Sequence, residues 1–189
     1  VTFVRDLEEL RALDATDIAA VIIEPLIQGV NQMHLWPEGM LRALRAWCDD
    51  TGVHLILDEV MTGFGRTGTM FACQQEAVVP DFLCLAKGLT GGYMPLAATM
   101  TTEAIYRTFE GPESVFYYGH SYTANPLGCA VALASLDVFA RDQVLEQMPE
   151  KSALFSALLR QAFPTMPLRI CGLIAGIEMR QANGLPHPA

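Results

Sequence analysis

This 189-residue chain has no closely spaced cysteine pair, no clustered histidines, no membrane-length apolar run and no excess of positive charge, and each lack removes a class of protein. The five cysteines, Cys48, Cys73, Cys84, Cys129 and Cys171, are odd in number and sit mostly in apolar contexts, as reduced and buried thiols do. The four histidines, His34, His54, His120 and His187, lack metal-ligand spacing, so no metal is expected. No apolar stretch approaches the roughly 18 to 20 residues that span a bilayer, and the first residues carry no secretory pattern. Twelve basic against 21 acidic side chains give a net charge of −9, which argues against nucleic acid and anionic membrane as partners. The expectation is a cytoplasmic protein. No repeat or low-complexity segment occurs. The chain starts at Val1 without an initiator Met and stops at Ala189 soon after a strand-like segment, so it reads as an internal piece of something larger.

What is present is a hydrophobic fraction of 51%, arranged as alternating strand and helix patterns. Residues 18–24 form an apolar β-rich run. Met40, Leu41, Leu44, Trp47 and Cys48 fall on one helical face between Pro37, suited to a first turn, and Gly52, suited to a stop. Residues 53–57 read as a continuous buried strand, and strand, helix, strand implies a parallel crossover. Residues 82–86 and 96–101 read as further buried strands, with a short helix from Thr102. Residues 126–139, rich in Ala and Leu, predict a buried helix; 143–163 predict a more polar one, and 168–179 a strand interrupted at Gly172. The composition shift near Arg141-Asp142 divides residues 1–140 from 141–189.

Two residues carry chemistry. Lys87 ends the apolar run Leu83-Cys84-Leu85-Ala86 and falls into Gly88-Leu89-Thr90-Gly91-Gly92, where partial desolvation and missing side chains suit a reactive amine. Asp58 closes His54-Leu55-Ile56-Leu57 in the same sense. In an open parallel sheet ligands bind beyond the carboxyl ends of the strands, so the two groups could face one crevice. Singly, a Lys after a strand is usually a solvated charge and an Asp there a turn or cap. Their surroundings add weight: Asp58-Glu59-Val60-Met61-Thr62-Gly63-Phe64-Gly65-Arg66-Thr67-Gly68, then Gly119-His120-Ser121-Tyr122-Thr123-Ala124-Asn125-Pro126.

These segments, in this order and spacing, resemble the class III pyridoxal-phosphate aminotransferases of fold type I over about residues 18–178. The resemblance implies an α/β fold: part of a large domain with a mostly parallel sheet and flanking helices, then the start of a smaller α+β C-terminal domain. It implies pyridoxal 5'-phosphate as cofactor, with Lys87 as covalent anchor and acid/base and Asp58 beside the ring nitrogen. Val60 would pack on the ring face, and His120 and Ser121 would hold the phosphate, in relatives from the neighbouring subunit of a homodimer that shares its active sites. Gly119, Arg169 and, less directly, Arg66 would meet substrate, Arg169 through a carboxylate fork.

Met61 stands where many class III members carry Gln. That points to the branch using S-adenosylmethionine and 8-amino-7-oxononanoate as small-molecule substrates in biotin biosynthesis. Another class III ω-aminotransferase, an aminomutase, or a noncatalytic piece of this fold are the alternatives. The family's upstream half, with its glycine/serine phosphate loop, is absent, so the isolated chain is expected to be inactive.

Overall fold

The computed structural model describes residues 1–179; the remainder of the expected second domain, 180–189, lies outside the described residues. In chain order the elements are α1 (Leu7–Arg11), β1 (Ala20–Ile23), β2 (Ile27–Gln28), β3 (His34–Leu35), α2 (Met40–Thr51), β4 (His54–Asp58), β5 (Phe82–Leu85), β6 (Ala98–Thr101), α3 (Glu103–Arg107), α4 (Pro126–Arg141), α5 (Met148–Ala162), β7 (Leu168–Cys171) and β8 (Ile174–Ile177). The main sheet runs β1-β4-β5-β6, parallel across the first three strands and antiparallel at β6. This is the mostly parallel α/β sheet expected, with two small antiparallel pairs, β2-β3 and β7-β8, beside it.

Apolar spacing explains α2. Leu41, Leu44 and Cys48 are buried on one face and pack with Val53, Leu55 and Leu57 of the following strand segment, joined by Leu10 and Val78. Gly52 ends the helix in the left-handed conformation, its N–H donating to the Cys48 carbonyl at 2.9 Å. At the other end Gly39 has no side chain to cap with. Glu76, 37 positions on, accepts from the Gly39 and Arg42 N–H groups at 3.0 Å each, a negative charge at the positive end of the helix dipole.

Several expectations are corrected, the buried strand of residues 96–101 among them, since β6 is mostly exposed. Residues 53–57 do not form a strand buried on both faces: Leu55 and Leu57 are fully buried, whereas His54 is exposed and Ile56 and Asp58 are half-buried. Side chains alternate along a strand, and this chain packs α2 against only one face. The helix of residues 126–139, α4, is apolar but not buried; Leu127 and Leu133 are 66% and 64% exposed, because only its Gly128 and Ala132 side is covered, against the 87–96 segment. The run 143–163 is not one helix, since α5 begins at Met148 after a turn containing Gln143 at φ 47°. The 168–179 segment folds as a hairpin, with Gly172 at φ 59° in its turn.

The strand starts are tied by Asp81. Its carboxylate accepts from the Leu55 N–H at 2.7 Å and from Arg45 at 2.8 Å, and Arg45 also reaches Asp49 at 2.9 Å. Partial burial by itself would raise the Asp81 pKa; the Arg45 and Leu55 hydrogen bonds outweigh it and hold the carboxyl below its ordinary 3.8. Stability from this group is therefore present above pH 3.8 and lost as pH falls through the depressed folded value. Asp81→Asn is expected to flatten the acid limb of a stability-versus-pH curve, measured by urea midpoints below pH 5 or so.

Burial pushes the Cys48 thiol up to about 11 and, with the Glu59 carboxylate nearby, the Cys73 thiol up to about 12. Both are expected to resist a thiol reagent at pH 8 until the protein unfolds, and mass mapping of alkylated peptides with and without urea checks this.

Candidate active site

The parallel register of β4 and β5 sets Asp58 opposite Cys84, three residues before Lys87. Adjacent strands lie about 4.8 Å apart, so the carboxylate and the amine occupy neighbouring carboxyl ends of one sheet. The chain turns sharply after both. Lys87 has φ 43°, left-handed backbone unusual for a side chain with a Cβ, and begins a 3-10 turn, Lys87–Thr90. It is exposed, so the desolvation expected of it is not supplied by this chain, and no hydrogen bond or ion pair engages its ammonium among the described residues.

Asp58 is half-buried, and Oδ1 accepts from the Val60 N–H at 3.0 Å. That bond bends the chain out of the strand at once, which corrects the placement of Val60. It sits in a turn rather than two positions along a strand, so period-2 alternation does not set its direction. Behind the turn lies Glu59, fully buried, whose carboxylate accepts from Ala72 N–H at 2.7 Å, Cys73 N–H at 2.9 Å and Thr62 Oγ1 at 2.9 Å. Glu59 thereby caps the 3-10 turn Ala72–Glu76 and fixes the loop after Asp58.

The two segments meet through Phe64. A Cβ on Gly88 would stand 2.8 Å from the Phe64 Cβ, so the turn after Lys87 lies flat on this ring's stem. Phe64 in turn packs edge-on against Phe71, at 5.7 Å between centroids, and near Phe139 of α4 at 6.5 Å. Neither Glu59 nor Phe64 had been singled out from sequence. Adjacency of two acids at a strand end was a signal for the first; nothing local marked the second. Glu24, one residue past β1, adds another strand-end carboxylate, which accepts from the Gly29 N–H at 2.8 Å.

Lys87 and His120 both line an open cavity of about 1320 Å³, walled by Tyr93, Phe109, Phe116 and Tyr118 among others. Asp58, Val60, Gly119, Ser121, Arg66 and Arg169 are not on that wall. Gly119, His120 and Ser121 lie in an exposed loop where the His120 N–H donates to Thr123 Oγ1 at 2.9 Å. Arg66 is exposed. Arg169, on β7, is ion-paired with Glu178 at 2.9 Å, both partly buried, so its guanidinium is engaged within the hairpin region. Among the described residues no cluster of three His, Cys, Asp or Glu could hold a metal ion, and no helix is long and apolar enough to cross a membrane.

The profile of one family, described as aminotransferase class-III, matches residues 2–185. Over 189 aligned residues the chain is 43% identical to the adenosylmethionine-8-amino-7-oxononanoate aminotransferase of Geobacter sulfurreducens, covering 97% of this chain and 42% of that protein. Its structure resembles the crystal structure of adenosylmethionine-8-amino-7-oxononanoate aminotransferase from Methanocaldococcus jannaschii, with a TM-score of 0.86 at 41% identity over 92% of this chain and 42% of the other. It also resembles the taurine:2-oxoglutarate aminotransferase from Bifidobacterium kashiwanohense, solved with PLP and glutamate. There the TM-score is 0.84 at 31% identity, over 95% of this chain and 41% of that one. The chain therefore spans less than half the length of these relatives.

Proposed function

From the premise that the chain belongs to the class III aminotransferases, which are pyridoxal-phosphate dependent, we propose that the full-length protein transfers an amino group from S-adenosylmethionine to 8-amino-7-oxononanoate, giving 7,8-diaminononanoate for biotin biosynthesis. The observation that carries the chemistry is the pairing of Asp58 and Lys87 at neighbouring parallel strand ends. The identity of the substrates is supported by the relatives' names.

The residues present fit the cofactor. An amine free of any carboxylate partner and a carboxylate with Oδ1 held by one backbone N–H stand on adjacent strands, with Lys87 facing open volume. When bound, pyridoxal phosphate supplies an electron sink for the carbanion formed at the substrate carbon. Asp58 would hold the pyridine nitrogen protonated, and Val60 would pack on the ring. Lys87 would anchor the cofactor covalently and afterwards, released as a free amine, move the proton at the substrate carbon. His120 and Ser121 would donate to the phosphate. Gly119 and Arg66 would line the substrate side. Arg169 would take a substrate carboxylate only by giving up Glu178.

In the same reading the protein is cytoplasmic and homodimeric, with the 119–121 loop serving the partner's site and a domain boundary near residues 140–141. The exposure of Tyr117 at 90% and Leu127 at 66%, which flank that loop in sequence, supports a covering partner. Nucleic acid and membrane have no part in it.

The test is borohydride reduction of the cofactor-loaded full-length protein followed by peptide mapping. An adduct on Lys87 supports the reading, and a folded protein without one sinks it. Conversion of the bound cofactor to its amine form by S-adenosylmethionine, and not by other amines, then separates this reaction from other ω-aminotransferases.

A further inference from the structure

The β7-β8 hairpin carries Arg169 and belongs to the second, C-terminal part of the chain, yet it touches the loop that continues from Asp58. A Cβ on Gly172 would lie 2.5 Å from the Thr67 carbonyl carbon, 2.6 Å from the Thr67 Cα and 2.7 Å from the Arg66 oxygen. All three are backbone atoms, which cannot swing aside as a side-chain tip can. Beside them the Leu173 N–H donates to the Arg66 carbonyl at 2.9 Å. The hairpin's other end is equally close: a Cβ on Gly176 would meet the Met33 Cβ at 2.8 Å, in the segment linking β2 to β3. One hairpin is thus seated on the loops that follow two neighbouring parallel strands, β1 and β4, at the sheet end where Asp58 and Lys87 stand.

The seat is coupled inward. Thr67 Oγ1 donates to the Thr62 carbonyl at 3.4 Å, and Thr62 Oγ1 donates to Glu59 at 2.9 Å, the residue next to Asp58. Gly172 also has φ 59°, a conformation that costs other residues strain. Its missing side chain therefore answers two demands at once, a left-handed turn and a backbone-to-backbone approach.

We infer that Gly172 is a positioning residue for the reaction: it locks the β7-β8 hairpin onto the Arg66-Thr67 backbone and so sets Arg169, which the hairpin carries, against the Asp58 loop. This rests on the aminotransferase reading for its consequence in catalysis, but the docking itself does not.

The experiment compares Gly172→Ala with Gly52→Ala in the full-length, cofactor-loaded protein. Gly52 has φ 74° and nothing within 4 Å of its added Cβ, so it carries the left-handed strain without the collision. In Gly172→Ala the amino-acceptor KM is expected to rise about tenfold or more while kcat changes less than about threefold, since the hairpin carrying Arg169 bears the collision directly and Lys87 lies in the turn after β5, outside the loop it touches. Hydrogen exchange supplies a readout independent of turnover: the Leu173 amide, protected in the parent, should exchange about tenfold faster in Gly172→Ala and not in Gly52→Ala.

Equal effects of the two variants, an unchanged KM with unchanged Leu173 exchange, or an unprotected Leu173 amide in the parent would each overturn the inference. A Gly172→Ala protein that fails to fold while Gly52→Ala folds would assign Gly172 to folding alone, which also overturns it. A parent that shows protected Leu173 but no transamination would defeat the functional reading and leave the docking standing.

Discussion

Lys87→Ala in the full-length protein is expected to lower turnover by about 10⁴-fold or more, because the proposed function asks one side chain to act as both covalent anchor and proton carrier. Its surroundings leave no substitute: among the residues placed on the cavity wall, His120 is the only other whose side chain carries a nitrogen, and it lies in an exposed loop. Lys87→Arg should lose as much, since a guanidinium keeps the charge but is neither nucleophile nor base. Added methylamine, small enough for the open cavity, should restore part of the Lys87→Ala rate by supplying a free amine for the proton step. Single-turnover absorbance and steady-state assays measure both effects. A Lys87→Ala protein with parental turnover would remove the centre of the functional reading.

Glu59→Ala is expected to be the most damaging change to the fold near the site, lowering stability by about 3 to 5 kcal/mol. The carboxylate is fully buried and receives three donors, the Ala72 and Cys73 N–H groups and the Thr62 hydroxyl. Removing it strands all three in a place water does not reach, at about 1 to 3 kcal/mol for each unsatisfied group. Glu59→Gln keeps one acceptor oxygen and turns an NH₂ toward donors, so an intermediate loss is expected. Urea midpoints of the three proteins test the order. Because Glu59 fixes the turn that begins at Asp58, the Ala variant should also bind pyridoxal phosphate more weakly; a destabilised protein with parental cofactor affinity would show that the turn holds without it.

The effect is large because few alternatives exist locally. The 3-10 turn Ala72–Glu76 starts after Phe71, which offers no side-chain oxygen, just as α2 starts after Gly39. Both helical ends borrow a carboxylate from a distant segment, Glu59 for the first and Glu76 for the second, and each carboxylate is buried where it serves. Two acids that look like surface charges in a chain of net charge −9 are interior supports.

By itself the sequence determined the alternation of strands and helices, since apolar periodicity and the Gly52, Thr102 and Asn125-Pro126 signals are local properties. It also placed Lys87 and Asp58 at strand ends, because an apolar run that breaks at a charged residue and glycine can hardly do otherwise. The resemblance to class III aminotransferases rested on those same short segments. What only the tertiary structure decided depends on groups far apart in the chain: the strand order that makes β4 and β5 neighbours, the Phe64 stem beneath Gly88, the caps from Glu59 and Glu76, and the seat of Gly172 on Thr67. The exposure of α4 belongs there too, because its composition fixes that it is apolar but not what covers it. Periodicity reports which face of an element seeks burial; it carries no record of the partner, whose choice is a matter of packing and hydrogen-bond satisfaction summed over the whole fold.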